Sequence, residues 1–136
     1  MIRTYKKDCP ARLVIYCKSR PLSRGRISKK HHIYQSLSNQ QDQIYWLEQY
    51  EPLEIDYPCY IEVTLGFLKS GKSLFPVNPE IGDIDNHVKA LLDNLQRAKH
   101  IHDDRYVVGV KAHKKWSTAN YIDILIWKVT NEKDLL

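Results

Sequence analysis

The chain has 136 residues and a formal net charge of +5, a length that suits one domain with a modest core and a balance that favours polyanionic partners. Its three cysteines, Cys9, Cys17 and Cys59, are odd in number and show no CxxC spacing, which speaks against a disulfide framework or a zinc site and fits a reducing cytoplasm. No run approaches the roughly 20 apolar residues of a membrane span and the N-terminus lacks the apolar core of a signal peptide, so a cytoplasmic protein without membrane contact is expected.

Residues 12–17 are apolar and β-branched and read as a first strand. Residues 18–32 then carry Lys18, Arg20, Arg24, Arg26, Lys29 and Lys30 with no acid, broken by Pro21 and Gly25. At this density a loop that contacts phosphates is expected, against the plainer alternative of a solvated surface. Residues 36–50, Gln-rich and carrying Ile44, Tyr45, Trp46, Leu47 and Tyr50, suit a helix that Pro52 terminates. From Asp42 to Glu62 every charge is acidic, so an acidic face turned away from the polyanion is expected.

Residues 60–67 alternate as a strand should. Overlapping its end, Gly66 to Ser73 matches the Walker A pattern G-x-x-x-x-G-K-[ST] residue for residue. A phosphate cradle also needs a helix beginning at the Lys-Ser pair, which Pro76 and Pro79 deny it. The stretch therefore reads as a loop with no nucleotide cofactor, in which Lys69 and Lys72 remain candidate phosphate contacts.

At about 100° per residue, Ile84, Val88, Leu91, Leu92 and Leu95 fall in one stripe and predict an amphipathic helix over residues 84–97. Asp83 stands where a carboxylate can cap free backbone N–H groups, and Asp85 lies in the first turn, where the helix dipole favours negative charge. Asp85 and Lys89 are i, i+4 neighbours on the flank of the stripe, a flank that Asp93 shares. A polar turn over residues 97–102 leads to a predicted strand at residues 106–110, with Asp103 and Asp104 at its start. A helix returning directly to a strand beneath it can bring Asp83, Asp85 and Asp104 together. Three converging carboxylates call for a cation, and Mg²⁺, with its preference for oxygen ligands and phosphate, is the natural one. Lys89 then faces the charge that develops on a phosphate. The outline is that of a phosphodiesterase site with water as nucleophile.

Residues 108–116 and 121–129 flank Ser117-Thr118-Ala119-Asn120 and predict a hairpin whose first arm carries Lys111, His113, Lys114 and Lys115. These residues either grip a polyanion or simply charge an edge strand. The six histidines show no H-x-x-x-H spacing, so surface or hydrogen-bonding roles are expected of them, with His102 beside the acidic pair the one to test.

The run Asp83-Ile84-Asp85-Asn86-His87-Val88-Lys89-Ala90-Leu91-Leu92-Asp93-Asn94-Leu95, followed by His102-Asp103-Asp104-Arg105-Tyr106-Val107-Val108, resembles the RusA family of Holliday junction resolvases. The family pattern D-x-D-N-x-x-K-x-x-x-D-x-L, a short turn and D-D-x-x-V is matched throughout. The resemblance implies a single small α+β domain, with a mixed sheet and two main helices, that dimerises and cuts four-way junction DNA with Mg²⁺, or Mn²⁺ in its place. It implies Asp83, Asp85 and Asp104 as metal ligands and Lys89 as the catalytic lysine, with Asp103 and His102 in supporting positions. DNA contacts are then expected from Arg20, Arg24, Arg26, Lys29, Lys30, Lys69, Lys72, Lys111, Lys114 and Lys115. Some members carry aromatic residues directly before the first Asp, proposed to wedge the junction open. This chain has Ile81-Gly82 there, so a wedge falls to Ile81 or to Phe75 on the same loop. Two alternatives stand beside this reading: a non-catalytic DNA- or RNA-binding module whose acids are caps and surface pairs, and a nuclease acting on flaps or forks.

Overall fold

The protein was analysed as a computed structural model, which describes residues 10–22 and 40–135. Arg24, Arg26, Lys29 and Lys30 of the basic segment, Cys9 and the first residues of the expected helix at 36–50 lie outside that set. Four strands build one sheet: β1 (Ala11–Ile15), β2 (Cys59–Leu68), β3 (Val107–Ser117) and β4 (Tyr121–Lys128). Two helices accompany them, α1 over residues 40–48 and α2 (Ile84–Arg97).

The sheet order is β1-β4-β2-β3, mixed because β2 and β3 run parallel while β4 is antiparallel to both β1 and β2. Parallel neighbours need a crossover, and α2 supplies it. Alternation along the strands puts Ile61, Val63, Leu65 and Phe67 on one face with Leu13, Ile15, Ile122, Ile124 and Ile126. All nine are buried there. Leu91 and Leu95 of α2 and Leu47 of α1 close the core over them, each buried aliphatic side chain contributing about 1.5–3 kcal/mol. The opposite face carries Arg12, Glu62, Thr64, Lys111, His113 and Asp123, with the Arg12 guanidinium holding Asp123 at 2.8 Å.

The expected hairpin is not formed. β4 lies beside β2, not β3, and the 118–120 connection crosses the end of β2, where Asn120 Oδ1 accepts from Leu68 N at 2.8 Å and Lys69 N donates to Ser117 O at 3.0 Å. The reason is β2: once β3 returns parallel to it, the turn must carry the chain over to the other flank of β2, where an antiparallel partner is still wanted. Gly66 permits this, because Tyr121 pairs with it and lays its ring against it; a Cβ at Gly66 would sit 2.1 Å from Tyr121 Cε1. Thus the first glycine of the Walker-like string serves packing. The next α-helix after this string starts at Ile84, eleven residues beyond Ser73, as the prolines require.

The expected stripe of α2 is rotated. His87, Ala90, Leu91, Asn94 and Leu95 are its buried residues, while Ile84, Val88 and Leu92 are only half-buried. The buried polar members are satisfied: Asn94 Nδ2 donates to Gln40 Oε1 at 2.9 Å and Gln43 Oε1 at 2.7 Å, tying α2 to α1. An apolar stripe read from side-chain hydropathy alone misses such paired polar groups.

Candidate active site

The half-buried edge of α2 forms one wall of a groove of about 500 Å³. Ile84, Asp85, Val88, Lys89 and Leu92 come from α2, Asp104 from the turn before β3, and Val110 and Ala112 from β3 itself. The helix spacing i, i+4, i+8 that the sequence assigned to the core thus lines a concavity in which two carboxylates and one ammonium group sit against apolar walls.

Local structure separates the acids. Asp83 occupies the N-cap position with extended backbone, yet its side chain makes no capping hydrogen bond, so the simple capping explanation of that carboxylate fails. Asp85 Oδ1 accepts from Asn86 N at 2.9 Å. Asp103 caps the short 3₁₀ turn Asp104–Tyr106, accepting from Arg105 N at 2.9 Å, with Arg105 Nε at 3.8 Å. That turn therefore consumes Asp103 and presents Asp104 to the groove. Asp83 is not among the groove's lining, and among the described residues no group of three or more His, Cys, Asp or Glu is disposed to hold a metal ion. Of Asp83, Asp85 and Asp104, the latter two thus line one groove.

The loop before α2 is fixed from three sides. Gly82 has φ +85°, a conformation glycine adopts freely, and a Cβ there would meet the Pro21 ring at 3.0 Å. Lys114 Nζ donates to the Gly82 carbonyl oxygen at 3.1 Å. His87, fully buried, donates through Nε2 to Ile81 O, which leaves Nδ1 to accept from Ser19 Oγ at 2.8 Å. Burial, assisted by the nearby Lys114 and Lys18, lowers the imidazole pKa and keeps it neutral, as this tautomer requires. His87 thus takes the hydrogen-bonding role, one of the two expected of the histidines, but in the core. Its signal was its position four residues before Leu91, on the face that α2 buries. Leu22 N also donates to Asn86 O at 3.3 Å, and Gln40 Nε2 to Arg20 O at 3.0 Å. Leu22 is therefore held at the first turn of α2, whereas Gln40 meets the helix at Asn94, near its C-terminal end.

The expected cationic contacts separate by location. Lys114 shares the groove's side of the sheet, whereas Lys111 and Lys115 alternate to the opposite face, where Lys111 pairs with Glu62 in register. Lys69 donates to Ser73 O at 2.8 Å and lies over the Trp116 ring; Arg20 and Lys72 are exposed. His102 is exposed and outside the groove's lining, its backbone N bonded to Ile55 O, while its neighbour His100 is buried and bonded through Nε2 to Leu47 O at 2.7 Å. Of the two wedge candidates, Ile81 is only 5% exposed and belongs to the core, whereas Phe75 is 60% exposed at the tip of its loop. The acidic stretch is exposed from Glu48 to Asp56 except at Ile55, but Glu62 lies half-buried on the sheet face shared with Lys111.

A two-layer α+β domain with carboxylates and a lysine along one groove, and Lys114 on the same side of the sheet, has the make-up of a phosphodiester-cleaving nuclease. The family model for endodeoxyribonuclease RusA matches residues 24–127 of this chain. The chain belongs to that family, whose members are endodeoxyribonucleases that resolve Holliday junctions. A search of curated proteins finds no match. No helix among the described residues is long and apolar enough to cross a membrane.

Proposed function

We propose that this chain is a Mg²⁺-dependent endonuclease that works as a homodimer and makes paired, symmetric cuts across a four-way DNA junction. The observation that carries this reading is the shared groove of Asp85, Lys89 and Asp104, three charged side chains brought from two elements to one apolar-walled surface. The donor set fits Mg²⁺, which commonly binds one or two carboxylates together with a substrate phosphate. Asp85 and Asp104 are those carboxylates, and Asp83, unspent as a cap, stands two residues from Asp85 as a third. When bound, the ion neutralises phosphate charge and supplies a water acidic enough to act as nucleophile; Mn²⁺ offers the same chemistry.

The chain's own residues do the rest. Lys89, one helical turn from Asp85, faces the phosphate and stabilises the charge that grows on it. The apolar walls from Ile84, Val88, Leu92 and Val110 pack against the sugar and limit water around the reacting phosphate. Lys114 and His87 hold the Gly82 loop so that Asp83 and Asp85 enter at a fixed angle. Phe75, exposed with Leu74 and Val77, supplies the wedge. A closed two-fold dimer places two such grooves at the two strands to be cut.

The test is cleavage of an end-labelled four-way junction, with duplex, fork and flap controls, in Mg²⁺ and in EDTA, for wild type and Asp85→Asn. Symmetric nicks confined to the junction and lost in EDTA and in the variant are expected. Cutting mainly of flaps or forks would replace the substrate, and salt-sensitive binding without cutting would make the carboxylates structural.

A further inference from the structure

Along the groove-side face of β3, Val110 and Ala112 line the candidate active site, Lys114 clasps Gly82, and Trp116 faces a second concavity of about 340 Å³. Residues on one face of a strand advance by about 6.6 Å, so this second concavity opens roughly 13 Å beyond Ala112, beyond the Lys114–Gly82 ridge. Its floor is the buried Phe67 and Ile81, one wall is Trp116, and its rim carries Lys18, Lys69 and the carboxamides of Asn78 and Asn120.

We infer that this concavity receives one unstacked nucleobase of the strand being cut; the inference rests on the nuclease reading above. Three features point to a base instead of a second phosphate. Phosphate needs little apolar surface, whereas Phe67, Ile81 and Trp116 offer a base the aromatic and aliphatic walls on which single-stranded bases stack. Asn78 has no side-chain hydrogen bond among the described residues, and Asn120 spends only its oxygen, on Leu68 N. The whole Asn78 carboxamide and the Asn120 amide nitrogen are thus open to a base edge, and Asn78 can offer the paired donor and acceptor by which Asn reads adenine. Finally, the Lys69 ammonium lies 5.0 Å from the Trp116 ring centroid. A base arriving on that face displaces it, and the next phosphate of the same strand receives it. The ridge spacing corresponds to one or two nucleotides of an extended strand, so the base read lies next to the cut, not within the bond being broken.

The test has two arms. In the first, wild-type protein cuts junctions in which each base within two nucleotides of the nick is varied in turn. One position is expected to discriminate between bases by about tenfold, the size of a single stacking and amide contact. Asn78→Ala and Trp116→Leu are expected to flatten that preference while the cuts stay at the same distance from the crossover. Cutting that is indifferent to base, or a preference that survives both variants, overturns the inference and leaves the nuclease reading intact. In the second, 2-aminopurine is placed at each position in turn and emission is followed as protein is added in EDTA. A change confined to one position and lost in Trp116→Leu and Asn78→Ala supports the pocket even if nothing is cut; the absence of such a position overturns it. Asn78 lies on a surface loop, so that variant reports even if Trp116→Leu fails to fold.

Discussion

The Ser19 hydroxyl sits 2.8 Å from Nδ1 of His87, joining the start of the basic segment to the helix that carries Asp85 and Lys89. Because Ile81 O accepts from the opposite ring nitrogen, the neutral ring is a spacer between two segments that contribute to the site. Protonation at Nδ1 would remove its acceptor and place a charge in the core. The folded pKa is depressed below the ordinary value of 6.5, so the unfolded chain takes up this proton first as pH falls. Stability is therefore full above about pH 6.5 and declines below it, with a slope from this group of at most about 1.4 kcal/mol per pH unit. Denaturant melts between pH 8 and 5 are expected to show that decline, and His87→Gln to remove this group's part of it at some cost in stability at pH 8. An unchanged slope in the variant would locate the dependence elsewhere.

Adjacent acids are expected to behave differently. Asp104→Asn removes a groove carboxylate and is expected to lower junction cleavage by at least about a hundredfold with little change in melting temperature. Asp103→Asn keeps a side chain able to cap the Asp104–Tyr106 turn and is expected to retain most activity, while Asp103→Ala loses the cap at about 1 kcal/mol. Cleavage rates and thermal melts on the three variants decide the matter. Equal loss of activity in both Asn variants would remove the distinction.

Gly66→Ala places a methyl group against the Tyr121 ring and is expected to cost about 1–3 kcal/mol of stability. Tyr121→Ala in the same chain is expected to recover part of that loss, giving a double-mutant coupling that a phosphate-binding role for this glycine would not produce. Urea unfolding of the four proteins measures it.

Burial raises the Cys17 and Cys59 thiols to about 11, so at pH 8 little thiolate is present. Modification mapped by mass spectrometry is expected to be slow at both residues in the native protein and to accelerate sharply in denaturant. Rapid native labelling of either would mean that β2 or the end of β1 opens readily.

What was legible in the sequence was local. The extent of α2 followed from its apolar spacing, and β2 from alternation, because each is a periodicity within one element. The acids and Lys89 were legible as a motif because their spacing over helix and turn is short. The partnership of β4 with β2 was not legible: residues 117–120 have hairpin composition, and only the prior pairing of β2 with β3 sends the chain across. His87 and Asn94 were hidden for a related reason. A polar side chain reads as exposed until its partners are known, and those partners, Ser19, Gln40 and Gln43, are more than fifty residues away in the chain. The sequence set Asp104 apart from Asp103 only through the family pattern; that Asp103 caps the Asp104–Tyr106 turn is a matter of local geometry.

The pairing of Ala11 with Ile126 has a bearing on how the protein is made. Synthesis releases β1 first, yet its neighbour in the sheet is β4, so this N-terminal strand must wait, apolar and unpaired, while β2, α2 and β3 emerge. Ser19 and Pro21 follow β1 directly and reach His87 and Gly82 only when it is seated. The groove therefore acquires its final shape after nearly the whole chain has left the ribosome, and a nascent fragment holding every acidic residue of the site is still an incomplete nuclease.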